Sequence, residues 1–365
     1  MEILFYLLLT LNLTVIFIIT INLVTAPKLY NKNSNLENNP LISVLIPARN
    51  EENNIANCIN SVINQNYSDF EIIILDDESS DNTYAVAKRI SEGRKNIKII
   101  KGEPLPKGWR GKNWACNILQ QHAKGKYLLF LDADVIIAEN ALIYSIYLIN
   151  KYNLDVLSSF PTQITSSFGE KIIVPLMKWL LLSFLPLKLV YSSDKNSLIA
   201  ANGQYLMFSK YAYDKIGGHK QVSDKIVEDM EFALLAKNNK LKIMTTLGNN
   251  AVFCKMYNSF STAFWGFSKN YFPGFRISYI PFLLLQALFL LVFVSPFFLS
   301  IYFSKFTIIA AVILIGRLLL AIITKDNIFF SILMHIIQII ILVLIGINSV
   351  VSSKMNRILW KGRKI

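Results

Sequence analysis

Short, nearly unbroken apolar runs alternate with helical-period ones along the first two thirds of the chain. Leu41–Ile46, Phe70–Leu75 and Tyr127–Leu131 each have the length and density of a strand buried on both faces of a parallel sheet. Between them, Ile55, Ile59, Val62 and Ile63 recur at helical spacing behind Asn50-Glu51-Glu52, a helix start. Asp81 or Ser80 can cap a second helix running to about Glu92, and a third is expected over about 113–122. Tyr205–Phe208 predicts another strand, and Val227-Glu228-Asp229-Met230-Glu231 opens a helix ending near Lys237. This order predicts an α/β fold with a mostly parallel sheet and helices on both faces.

Much longer apolar runs lie at the ends. Residues 3–24 give about 22 mostly apolar positions, enough to span a bilayer. Lys28 and Lys32 follow and no Lys or Arg precedes, the polarity of an anchor whose C-terminal side is cytosolic rather than of a signal peptide. Three further runs cover about 279–303, 306–324 and 328–350. Three full crossings would put the basic residues Lys354, Arg357, Lys361, Arg363 and Lys364 outside, so an even number is expected. Residues 170–191 are apolar but broken by Pro175, Lys178, Pro186 and Lys188. They read as an interfacial helix or broken hairpin, with Trp179 anchored among headgroups. The expected organisation is an anchor over 1–26, a linker over 27–40, a catalytic domain over 41–275 that includes 170–191, membrane helices over 276–352 and a basic tail over 353–365.

Composition sharpens this picture. Hydrophobic residues make up 53% of the chain, too many for an ordinary soluble domain. A net charge of +13 suits a domain lying on an anionic cytoplasmic leaflet better than one binding nucleic acid. The expected location is therefore the cell membrane, multi-pass, with the catalytic domain on the cytoplasmic side. The three cysteines, Cys58, Cys116 and Cys254, form neither a disulfide framework nor a metal pattern.

The candidate chemistry is acidic. Tyr127–Leu131 stops on Asp132 and Asp134, and Phe70–Leu75 stops on Asp76 and Asp77. Acids closing two strands of one parallel sheet meet at its carboxyl edge, where open α/β folds bind ligands. Hard oxygen ligands there suit Mg2+ or Mn2+ carrying a substrate diphosphate; solvated strand caps are the alternative. Between these strands lies a basic, Gly-containing loop with Lys107, Arg110 and Lys112, of which Lys112, just before a helix, is the best placed for a diphosphate. Ile199–Gln204 is rich in small residues, and Gly203 lets a sugar or acceptor approach the backbone.

Four motifs, Pro47-Ala48-Arg49-Asn50-Glu51-Glu52, Asp76-Asp77-Glu78-Ser79-Ser80-Asp81, Gly108-Trp109-Arg110-Gly111-Lys112-Asn113-Trp114-Ala115 and Asp132-Ala133-Asp134, resemble the inverting family 2 glycosyltransferases in order and spacing, over roughly 40–270. The Gly-Trp-x-Gly-Lys loop is similar to the membrane-bound, lipid-glycosylating branch. Ile216–Lys220 and Trp360–Arg363 resemble its carotenoid-type members, the 4,4′-diaponeurosporenoate glycosyltransferases. The resemblance implies a GT-A fold and a UDP-sugar donor bound by Pro47, Ala48, Arg49, Glu51, Asp76, Asp77, Lys112 and Asp132. It also implies a metal on Asp134 and a catalytic base at Asp229. Gly203, Gly218, His219, Glu228 and Trp265 fall on the acceptor side. The implied activity is transfer of a hexose, glucose first, to a membrane lipid of carotenoid type, either an apocarotenoic acid or a hydroxylated one. A hopanoid, diacylglycerol or polyprenyl phosphate is the alternative acceptor. The Gln-x-x-Arg-Trp signature of processive polysaccharide synthases does not occur. A non-catalytic nucleotide-sugar sensor is disfavoured because Asp132, Asp134 and Asp229 are all present.

Overall fold

The computed structural model describes residues 1–30, 39–355, 359–360 and 363–364. Most of the expected linker and part of the basic tail therefore lie outside the described residues, including Lys32, Arg357 and Lys361. The chain divides into two compact units, one of residues 27–164 and 188–255, the other of 1–26, 165–187 and 256–365.

The first unit is an α/β layer built on β1 (Ile42–Ala48), β2 (Phe70–Asp76), β3 (Ile97–Lys101), β4 (Tyr127–Leu131), β5 (Val135–Ile137), β6 (Val156–Phe160), β7 (Thr162–Gln163), β8 (Tyr205–Ser209), β9 (Ile243–Leu247) and β10 (Val252–Cys254). The main sheet has the order β3-β2-β1-β4-β8-β6-β9. β8 runs antiparallel to both β4 and β6, whereas β1 pairs in parallel with β2 and β4. All five residues of β4 and five of the seven in β2 are buried, as their apolar runs require. The parallel register brings Ala48 opposite Asp76, so β1, β2 and β4 deliver their following loops to one edge. β5, β10 and β7 form a small second sheet. β5 begins one residue after Asp134 and Cys254 ends β10, which fixes the acidic turn from its far side.

The second unit is helical. Among the described residues, four helices are long and apolar enough to cross a membrane: Glu2–Thr25, Tyr279–Tyr302, Phe306–Thr324 and His335–Lys354. The last C-terminal run differs in detail from the sequence reading. The apolar run from 328 divides at Met334 into a short helix, Ile328–Leu333, and the candidate span. Residues 170–191 form no long helix but three short ones, Phe168–Ile173, Pro175–Phe184 and Lys188–Ser192, broken as the prolines require. Residues 165–187 and 256–275, expected within the catalytic domain, group instead with the apolar helices.

Polar side chains inside this unit are spent on backbone groups that the breaks leave open. Asn22 donates to Leu182 O and Leu185 O, both at 2.8 Å, and accepts from Leu187 N at 2.7 Å, stapling the end of the broken segment. Arg317 donates to Ser331 O at 3.0 Å and to the Gln338 side chain, while Gln338 donates to Ile172 O at 3.1 Å. Trp179 and Lys178 correct the sequence reading. Trp179 is 2% exposed and packs edge-on against Phe184, Phe289 and Phe293, so it is core rather than a headgroup anchor. Lys178 is buried, 3.6 Å from Asp326. An apolar groove of about 700 Å³ is lined by Leu290, Val294, Phe298, Ile340, Leu344 and Ile347, among others.

Candidate active site

The turns after β1 and β2 are laced together through main-chain groups. Arg49 donates to Asp77 O and Glu78 O, and Asn50 N donates to Ser79 Oγ at 3.0 Å. Glu51 N donates to Thr83 Oγ1 at 2.7 Å and Glu52 N to Asp81 Oδ2 at 3.1 Å. Asn50 and Glu78 both adopt left-handed backbone, the bend that turns each strand end into its loop. Pro47 and Ala48 sit opposite Leu75 and Asp76, so the Pro47–Glu51 and Asp76–Asp77 motifs form one wall. Asp81 does not cap as a regular N-cap. It accepts from Thr83 N at 3.0 Å and from Thr83 Oγ1, one residue before the position that Asn82 occupies. Asp76 is 8% exposed, and its Oδ1 is buried with no hydrogen-bond donor among the described residues. A buried acceptor of that kind calls for a donor from elsewhere.

The second wall follows β4. Lys112, at the start of the Gly111–Gln121 helix, lies 2.8 Å from Asp132 Oδ1 and 3.1 Å from Glu228 Oε1, and donates to Gly203 O at 3.4 Å. Burial alone would lower its pKa. The Asp132 and Glu228 carboxylates outweigh that and hold the ammonium well above its ordinary value. Burial also raises Asp132, against the pull of Lys112. Gly203 N donates to Asp229 Oδ2 and Met230 N to Asp229 Oδ1, each at 2.8 Å. Asp229 and Glu228 stand in the first turn of the Glu228–Asn238 helix. Burial and then the neighbouring Glu228 charge raise Asp229 to about 7, against Lys112 and its two backbone donors. A Cβ on Gly203 would sit 2.9 Å from Glu228 Oε1 and 3.2 Å from Lys112 Nζ, so any larger residue there would displace the tips of this ion pair.

Asp134 lies in the turn into β5, with the Cys254 thiol against its carboxylate and Cys58 behind Asp132 O at 3.6 Å. Among the described residues no three His, Cys, Asp or Glu side chains converge into a complete protein cage for a metal. The donor set, one or two carboxylates at a sheet edge, fits Mg2+ or Mn2+ taking its remaining ligands from water and a diphosphate. A thiolate-preferring metal is a poor match, because burial holds the Cys58 and Cys254 thiols protonated.

The residues named from sequence are thus only partly brought together. Lys112, Asp132, Gly203, Glu228 and Asp229 form one connected cluster, and Pro47, Ala48, Arg49, Asp76 and Asp77 line the adjoining wall. Glu51 is close enough to raise the Asp132 pKa. Two acceptor-side expectations need correction. His219 is 3% exposed, inside an aromatic cluster, and Gly218 is buried against the Tyr213 ring. Both belong to the core of the fold, because their left-handed turn folds them inward. Trp265 is 60% exposed and belongs to the apolar unit. Sequence reasoning missed Asn113, whose buried amide donates to Val222 O at 2.6 Å, Ser223 O at 3.2 Å and Lys225 O at 3.1 Å. Arg110, a candidate diphosphate ligand, joins that clamp by donating to Asp224 O at 2.9 Å. An asparagine in the first turn of a helix was the available signal.

Comparisons with known proteins agree with this geometry. Residues 43–217 match the glycosyl transferase family 2 model. A 4,4′-diaponeurosporenoate glycosyltransferase of Staphylococcus aureus strain MRSA252 is 27% identical over 272 residues, covering 70% of this chain and 69% of the relative. Its counterpart in strain USA300 matches to the same extent. The mannosyltransferase PcManGT from Pyrobaculum calidifontis, solved in complex with GDP-Man and Mn2+, aligns with a TM-score of 0.58 over 97% of this chain and 100% of its own. At 14% identity that likeness shows the shared GT-A-like architecture of mixed sheet and helices.

Proposed function

We propose that this chain, whose residues 43–217 match the glycosyl transferase family 2 model, transfers a hexose, glucose first, from a UDP-sugar to a membrane lipid with inversion at the anomeric carbon. In this reading the wall of Pro47, Ala48, Arg49, Glu51, Asp76 and Asp77 receives the nucleoside. The unpartnered Asp76 Oδ1 accepts from the imide N–H of uracil. Asp134, with Asp132 beside it, would hold Mg2+ or Mn2+, which neutralises charge on the diphosphate. Lys112 turns from its carboxylates toward the phosphates and stabilises the leaving group as its charge develops. The apolar unit houses the lipid, and its groove of about 700 Å³ is lined to take hydrocarbon. The Mn2+ in PcManGT and the acceptor in the name of the Staphylococcus relatives support these assignments.

The observation that carries the reading is the place of Asp229, in the first turn of its helix, held by Gly203 N and Met230 N next to Glu228, which pairs with Lys112, where burial raises its pKa to about 7. A base with that pKa is basic enough to take a proton from an attacking hydroxyl and still be ionised near neutrality. A carboxylic acid acceptor, with a pKa near 4, is already ionised and needs no base. The site therefore favours a hydroxylated carotenoid-type lipid over an apocarotenoate. The relatives' name keeps the carboxylate as the second reading.

Membranes carrying the wild-type chain or Asp229→Asn, given radiolabelled UDP-glucose, Mg2+ or Mn2+ and a lipid panel, test both. The panel contains a hydroxylated carotenoid, a carotenoic acid, diacylglycerol and polyprenyl phosphate. Labelling of a hydroxyl lipid that drops by about 10²–10⁴ in Asp229→Asn is the expected result. Labelling of the carotenoic acid that survives in Asp229→Asn would move the assignment to the second reading.

A further inference from the structure

We infer that His219 is a positioning residue. Its ring is wedged between β4 and the Glu228–Asn238 helix and sets how far Asp229 stands from Asp132 and Asp134. This rests on the reading of Asp229 as the base.

The wedge is defined on both sides. The His219 ring lies 4.6 Å from that of Phe130, edge-on, and Phe130 is two residues before Asp132. On the other side it lies 4.9 Å from the ring of Phe232, one helical turn after Asp229. Phe208 of β8 closes the cluster, 6.0 Å from Phe130 and 5.1 Å from Phe232. The proposed base and the metal-side carboxylates are therefore spaced by an aromatic cluster in which His219 is the ring in closest contact with both Phe130 and Phe232.

The wedge cannot turn freely. The Tyr213 hydroxyl accepts from His219 N at 3.1 Å and is hydrogen-bonded to His219 Nδ1 at 2.7 Å. Because the hydroxyl already accepts from the main chain, we assign its proton to Nδ1, which makes the ring the neutral tautomer protonated on Nε2. Burial, then the Lys112 charge, push the His219 pKa down to about 3, so the ring stays neutral throughout the working range. Gly217 and Gly218 at φ 80° and 56° fold the ring inward, and a Cβ on Gly218 would meet Tyr213 Cε1 at 2.6 Å. Glycine at 218 is thus part of the same device.

The prediction separates spacing from general stability. The charged neighbours of Asp229 are Glu228 on its own helix and Lys112 across from it, with Asp132 behind Lys112. A neutral ring at 219 adds no charge to any of them. The nucleoside half of the donor is received by the β1 and β2 loops, whereas the wedge packs against Phe130 and Phe232. Full-length chains in membranes are assayed with radiolabelled UDP-glucose and whichever panel lipid the wild type labels best. In His219→Ala, kcat should fall by about 10²-fold, the cost of a misplacement near 1 Å, with the donor KM within about twofold. The midpoint of its pH–rate profile should drop from about 7 toward the ordinary carboxylate range as water reaches Asp229. His219→Phe keeps the ring and should recover most of kcat. The inference is overturned if the midpoint stays in place, if Phe is no better than Ala, or if donor KM rises in step with the loss of kcat. Asp229→Asn run alongside distinguishes the two ideas. An active Asp229→Asn removes the base, whereas an inactive one beside a fully active His219→Ala removes only the wedge.

Discussion

Lys112 shows how one side chain can serve both stability and chemistry. Its ammonium meets two carboxylates, Asp132 and Glu228, each only partly exposed. Lys112→Met leaves both without their counter-charge. We expect a loss of about 2 kcal/mol in folding stability, read as a lower Tm. Donor affinity should fall in parallel, read by calorimetric titration with UDP and Mn2+. Gly203→Ala tests the same ion pair from the backbone side. Its Cβ would intrude on Glu228 Oε1 and Lys112 Nζ, and we expect transfer to fall more than UDP affinity, because Gly203 N also holds Asp229. The pH dependence follows in sign from the role proposed for Asp229. With Asp229 as the base, which must be ionised, transfer should rise with pH through about 7 and be slow well below it, measured at saturating donor.

At the scale of elements, the chain's chemistry is positioned by strands that end and helices that begin. Those ends were readable because Phe70–Leu75 and Tyr127–Leu131 are unbroken apolar runs that stop on acids. The place of β8 was not readable. Tyr205–Ser209 has the pattern of any buried strand, and nothing local says that it inserts between β4 and β6 in reverse. Gly218-His219 misled for a similar reason, since a glycine pair beside a histidine looks like an open loop until the packing of Tyr213 and Phe232 is known. Asn113 was overlooked because its three acceptors lie about 110 residues away in sequence. That clamp ties the Gly111–Gln121 helix to the stretch that leads into Glu228. Asn113→Ala should cost about 1–3 kcal/mol. It should also speed amide hydrogen exchange over residues 222–227 more than over β1 or β2, followed by mass spectrometry.

On the scale of the whole molecule, the four long apolar helices dominate the physical behaviour. Alkaline carbonate should leave the chain in the membrane and detergent should release it, followed by immunoblot. Chelation should abolish transfer, and Mn2+ or Mg2+ should restore it, if Asp134 and Asp132 hold the ion as read here. The α/β unit is also discontinuous in sequence, since residues 165–187 leave it before residues 188–255 return. This has a consequence on the ribosome. β6 cannot join the main sheet until β8 has been translated, because β8 lies between it and β4. A nascent chain that ends before Tyr205 holds β3-β2-β1-β4 with one side of β4 unpaired, an open template for association with other chains. Its hydrophobic detour through 165–187 leaves the tunnel before Tyr205–Ser209 does. Synthesis of this enzyme therefore passes through a vulnerable interval that closes only when Tyr205–Ser209 clears the exit tunnel, and stalled chains on either side of that point should differ sharply in protease resistance.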